Sequence, residues 1–176
     1  STDSVDMSHE LSEHFESLFP GFDPQPPVGA TLGQAMQHLL EQALAHQFPA
    51  HPQFIAVPKG GNLKKVYDEI RRATQAENYR IDDVPKQIRP LIQAIATPLK
   101  LGDVHDNVFI LSTHWKDHFD PKAAGVGGVP TVGQLRKWMD EPKPTGLPKV
   151  VQNCVILLYA EQTNRTFYLH GAPAEA

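Results

Sequence analysis

Nine histidines, one cysteine and a glycine-rich stretch are the residues of this chain whose chemistry could exceed packing. His114 and His118 stand four apart, so a helix would carry both imidazoles on one face, with His105 nearby in sequence. Two imidazoles at that spacing can grip a divalent metal, and Asp106, Asp117 and Asp120 add carboxylates. One reading is therefore a metal-dependent hydrolase using His105, His114 and His118. Against it, the zinc-protease pattern places Glu directly after the first His, where this chain has Trp115, and the spacing sets no third ligand. Chance pairs are common in a chain so rich in histidine. The plainer reading leaves these rings solvated or bonded to a backbone carbonyl, and we expect no bound metal.

The remaining chemical candidates are weaker. Gly125-Val126-Gly127-Gly128 through Gly133 has no strand before it and no Lys-Ser/Thr after it, so it does not read as a phosphate loop. Cys154 lies in the most apolar run of the chain and should behave as a small buried hydrophobe rather than a nucleophile. The carboxylate pairs Asp82-Asp83 and Asp140-Glu141 fall at helix edges, where capping explains them. No catalytic residue and no cofactor is expected.

Charge points elsewhere. Seven acidic residues precede Lys59, the first basic one, so residues 1–58 carry −7 and the remainder +3. Nine basic residues against five acidic fall between Lys59 and Lys100. Lys64, Lys65, Arg71, Arg72, Arg80, Lys86 and Arg89 belong to one helix-turn-helix stretch and could meet nucleic-acid phosphates or an acidic partner. The competing reading is an ordinary solvated face. A net charge of −4 and a pI near 6.1 exclude a uniformly basic, histone-like coat.

The elements that must position these residues are mostly helical. Leu11, Phe15, Leu18 and Phe19 predict a short helix over 6–19, ended by Pro20-Gly21. Residues 1–30 read as an acidic arm and Pro-rich linker, and 31–176 as a helical domain. Thr31 and Gln34 predict a capped helix to about Phe48, with Leu32, Ala35, Met36, Leu39, Leu40, Ala43 and Leu44 forming a wide apolar face. Lys59 to Asn62 reads as a turn. A helix is predicted over 63–76, then another starting near Pro85 or, because of Pro90, at Pro90 itself. Gly102 to Asn107 reads as a polar turn and Val108–Leu111 as a strand. A short helix through Trp115 and Phe119 gives way to a Pro/Gly-rich loop over 120–130. Thr131 caps the next helix. Val150 to Ala160 is apolar enough for a central helix, with Thr166–His170 as a short strand. The fold class is mainly α with a small β component, and 59–112 has the order of a winged-helix-like unit.

Composition agrees with a folded domain: 40% hydrophobic and 20% charged residues in 176 suffice for a core without cross-links. A single cysteine fits an intracellular, cytoplasmic setting, and there is no run of 18 apolar residues. The first residues, Ser1-Thr2-Asp3, and the last, Pro173-Ala174-Glu175-Ala176, suggest a domain excised from a longer protein.

The motifs Leu135-Arg136-x-Trp138, Asp140-x-Pro142, Gly146-Leu147-Pro148 and Gln162-Thr163-Asn164-Arg165, with His51-Pro52-x-Phe54 and Leu99-x-Leu101-Gly102 before them, are similar to a segment of large ATPase proteins from bacterial phage-resistance systems of the phage-growth-limitation and BREX type. The resemblance covers about 50–167. It implies a role in phage defence within a complex that includes methylation machinery, with other domains and subunits as partners, while the basic stretch from Lys59 to Lys100 adds duplex DNA. Those proteins resemble AAA-type ATPases, but the Gly-Lys-Thr/Ser signature is absent here. The resemblance therefore implies a non-motor domain, and the missing catalytic constellation with the basic stretch makes it a non-catalytic accessory domain serving protein or DNA interaction, or else a purely structural spacer. Arg136 and Arg165 join the candidate contact residues, with an internal ion pair as the plainer role for each.

Overall fold

A computed structural model describes residues 19–169, 172 and 173. The chain divides into two units, residues 1–51 with 143–146 and residues 52–142 with 147–176. The helix expected over 6–19 lies outside the described residues, except for Phe19.

In the first unit, helix α1 spans Leu32–Gln47, and the Thr31 hydroxyl accepts from Gln34 N as expected. The Gln34 side chain reaches one residue further back than a capping box, accepting from Ala30 N at 2.8 Å. The linker lies against α1 through Gln25–Gln42 bonds of 2.7 and 3.1 Å. Phe48 then supports Gly146, where a Cβ would stand 2.5 Å from the Phe48 ring. The wide apolar face is not buried here. Only Ala35 and Leu39 are covered, whereas Leu32, Met36, Leu40 and Leu44 are exposed.

In the second unit, α2 (Gly60–Ile70) and α3 (Arg72–Gln75) replace the single predicted helix. The expected turn at Lys59–Asn62 is the first turn of α2, because Leu63 N donates to Lys59 O at 2.8 Å and buries the Leu63 side chain. A 3-10 turn at Glu77–Tyr79 leads to β1 (Arg80–Ile81), a strand the sequence did not announce. Helix α4 spans Arg89–Ile95 with Pro90 in its first turn, the later of the two expected starts. The Asp82-Asp83 pair does not cap it, since Asp82 pairs with Arg80.

Strands β2 (Gly102–His105) and β3 (Val108–Leu111) form an antiparallel hairpin, and β1 adds to its other side in the order β1-β3-β2. The polar turn expected over 102–107 is thus a strand with a two-residue turn. Gly102 and Val104 face inward while Asp103 and His105 face out, the alternation of a half-buried sheet. Helix α5 (His114–Gly125) runs through Pro121 into the expected loop, held there by fully buried Phe119 and Ala123. Thr131 caps α6 (Val132–Met139) with a complete capping box.

Helix α7 (Lys149–Gln162) is the predicted central helix. It contacts α2, α3, α5 and α6 and buries Val151, Cys154, Val155, Ile156, Leu158, Tyr159 and Ala160. A short hairpin, β4 (Tyr168–Leu169) with β5 (Ala172–Pro173), follows. The protein is mainly α with a small β part.

Candidate functional site

Helix α7 reaches the surface where its Val150, Asn153 and Leu157 meet the first turns of α2. Together with Gly60, Leu63, Lys64, Tyr67 and Cys154 they enclose a groove of about 230 Å³. Val150 and Leu157 remain 47% and 39% exposed on its rim, while Leu63 and Cys154 are buried in its floor. Residues 90 positions apart thus form one apolar surface with a cationic edge at Lys64. Arg136 reaches the same place from α6, its Nη2 donating to Asn153 Oδ1 at 2.8 Å. Its Nε is buried without a partner among the described residues. Arg136 thus ties α6 to Asn153 of α7.

Most of the other basic candidates serve local partners. Lys64 pairs with Asp68 at 2.6 Å, Arg72 with Glu69 at 2.5 Å, and Arg80 with Asp82. Arg71 lies 6.0 Å from the Tyr67 ring centroid, and Arg89 Nε donates to Val84 O at 2.8 Å. Lys65 and Lys86 are exposed and make no ion pair among the described residues. Exposed pairs of this kind contribute little and can be exchanged for another anion. Lys64 and Arg136 converge on the groove, whereas Arg80, Lys86 and Arg89 belong to β1 and the approach to α4.

The histidines do not assemble. His105 is exposed at the end of β2. The His114 and His118 rings stack with centroids 6.5 Å apart, but His118 Nε2 donates to Trp138 O at 2.7 Å. Burial, then the Lys100 and His118 charges, hold His114 below its ordinary pKa. No group of three metal-capable side chains comes together among the described residues. Cys154 is inert by environment, burial pushing its thiol up to about 12.

Two partly buried polar networks escaped sequence reasoning. Tyr67 donates to Glu161, to which Thr74 also donates, and burial together with that carboxylate raises the Tyr67 hydroxyl. Asp120 accepts from Tyr159 at 2.9 Å and from Lys116 at 2.8 Å. Burial opposes its charge, but those bonds and the Arg165 charge outweigh it and hold the carboxyl below the ordinary range. Burial and Asp120 push Tyr159 up to about 12. Arg165 lies 5.3 Å from the Tyr159 ring centroid and donates to Gly128 O at 2.6 Å, tying the glycine loop to α7. Beside it, a cleft of about 610 Å³ opens between residues 129–135, α7 and 165–168. No local signal joins Tyr67 to Glu161, because the pairing spans 94 positions.

These features define a mainly helical domain with a small antiparallel sheet. Residues 61–160 match the family described as the BREX System ATPase PglY protein 5th domain, and residues 1–48 match the PglY fourth domain. The chain belongs to this family. Residues 61–160 lie within the 50–167 stretch whose motifs showed the resemblance, and residues 1–48 lie before it. No solved structure matches the chain. Among the described residues no helix is long and apolar enough to cross a membrane.

Proposed function

We propose that this part of the defence protein is a non-catalytic accessory module, cytoplasmic like the machinery it serves, that docks another protein segment. The observation that carries this reading is the α2–α7 groove, where two large apolar side chains of α7 remain half exposed above a floor of Leu63, Tyr67 and Cys154. A groove of this size can seat one apolar anchor of a partner segment. Lys64 on the rim favours a segment carrying an acidic residue beside its apolar anchor. In this reading residues 1–30 act as arm and linker to the helical part.

The test is binding of the V150D/L157D variant to the remaining domains of the same ATPase protein. Loss of at least about tenfold in affinity, with unchanged circular dichroism, is expected. Unaltered affinity rejects the groove.

Duplex DNA is the second reading. The order α2, α3, β1, α4, β2, β3, with β3 central in the sheet, supports a winged-helix-like unit over 59–112. Lys65 and Lys86 would join Lys64, Arg71, Arg72, Arg80 and Arg89 in meeting phosphates. The acidic residues that already hold Lys64, Arg72 and Arg80 weigh against it. A fluorescence titration with duplex DNA at low and moderate salt decides: a log–log salt slope of about −0.9 per phosphate contact supports DNA, and no salt-dependent binding leaves protein docking.

A further inference from the structure

The cleft of about 610 Å³ beside Arg165 shares no residue with the α2–α7 groove. Its size falls within the range of about 300–1,000 Å³ that small-molecule sites occupy. One wall is the run from Val129 to Leu135, and the other is α7 at Ile156 and Ala160 with Phe167 and Tyr168. Val129 and Tyr168 stand 82% and 65% exposed, so a ligand that covers them gains apolar burial. Arg165 is the one charged residue in this lining, which holds no acid.

Arg165 is held in place yet keeps donors in reserve. Its Nε donates to Thr163 Oγ1 at 3.1 Å and its Nη1 to Gly128 O at 2.6 Å, while the guanidinium lies over the Tyr159 ring. Among the described residues Nη2 makes no hydrogen bond, and Asp120 Oδ1 stands 4.0 Å from it. Lys116 takes the other Asp120 oxygen at 2.8 Å. Two cations therefore share one carboxylate, and the cluster retains one net positive charge. A single negative head group balances it.

A phosphate ester fits poorly. It would bring about two negative charges towards Asp120. It would also find the start of α6 occupied, because Thr131 N and Gln134 N are already bonded within the capping box at 2.7 and 3.1 Å. A carboxylate brings one charge and matches the planar guanidinium. We propose that this cleft binds a small hydrophobic monocarboxylate, with the carboxylate on Arg165 and the apolar body between Leu135 and Phe167. The apolar walls exclude water from the head group and so strengthen its charge-assisted bond.

The test titrates the 176-residue chain with naphthaleneacetate and follows the methyl resonances of Val129, Val132, Leu135 and Ile156 by NMR. Saturable shifts at these methyls are expected, with a dissociation constant below about 1 mM. The neutral naphthaleneacetamide and the more highly charged naphthyl phosphate should each bind at least about tenfold more weakly. Arg165→Gln should remove the preference for the acid over the amide. Because that change also releases Gly128, Gly133→Leu provides a second reading. A Cβ at Gly133 meets nothing nearer than Thr131 Oγ1 at 3.8 Å, so the new side chain fits α6 and fills the cleft, and acid and amide should both lose binding. Equal binding of acid and amide, shifts confined to Val150 and Leu157, or unchanged binding by folded Gly133→Leu overturns the proposal. So does the absence of saturable shifts at about 1 mM acid. Binding of the peptide acetyl-Ala-Leu-Phe about tenfold tighter than the acid, through its free C-terminal carboxylate, would assign the cleft to polypeptide ends and overturn the small-molecule reading.

Discussion

Tyr159, in the middle of α7, donates its hydroxyl to Asp120 of α5 at 2.9 Å. That single bond fastens the central helix to the helix that runs through Pro121, in a place where Lys116 and Arg165 also bring their charge. Tyr159→Phe keeps the ring against Phe119, 5.0 Å away, and removes only the bond. It should cost about 1 kcal/mol, seen in urea titration as a lower midpoint with an unchanged slope.

Acid should weaken the domain in two stages. His114 is held below its ordinary value of 6.5, so the folded state binds its proton less readily than the unfolded state. Its contribution is complete above 6.5 and is lost as pH falls through the lower folded value. Asp120, held below 3.8, behaves alike in a more acidic window. Stability measured against pH should fall in both windows. His114→Gln should flatten the first and Asp120→Asn the second, and curves identical to the parent would refute the assignment.

Gly102 opens β2 at φ +150°, and a Cβ there would stand 2.3 Å from Ile110 O and 2.5 Å from the Phe109 ring. Neither the hairpin carbonyl nor the fully buried ring can retreat cheaply. Gly102→Ala should therefore cost about 3 kcal/mol, and thermal unfolding will measure it.

Cys154 is 4% exposed and its thiol is pushed up to about 12 by burial. Native protein should react with a thiol reagent only through opening, many orders slower than the same chain in denaturant. Prompt native labelling would contradict the helix packing.

The Thr31 and Thr131 caps, the late start of α4 at Pro90, the strand at Val108–Leu111 and the buried central helix were all legible in the sequence. Each depends on neighbours within a turn or two: a hydroxyl three residues from an amide, a ring that cannot donate, an apolar run with no polar face. Two short strands were not legible. Arg80–Ile81 has no pattern until β3 pairs with it, and Gly102–His105 reads as a turn until its alternation meets a sheet. The run of α5 past Asp120 was hidden as well, because the proline signal is local while the burial of Phe119 and Ala123 that overrides it is not.

The motifs from Leu135 to Arg165 determined the family, and the helical periodicities determined the class of fold, since both are carried by residues close along the chain. Which apolar faces stay open was decided by tertiary structure alone. Periodicity marks Leu32, Met36, Leu40 and Leu44 as apolar but cannot say whether anything covers them. The α2–α7 groove likewise exists only because packing brings Leu63 beside Cys154, a juxtaposition that no local signal encodes.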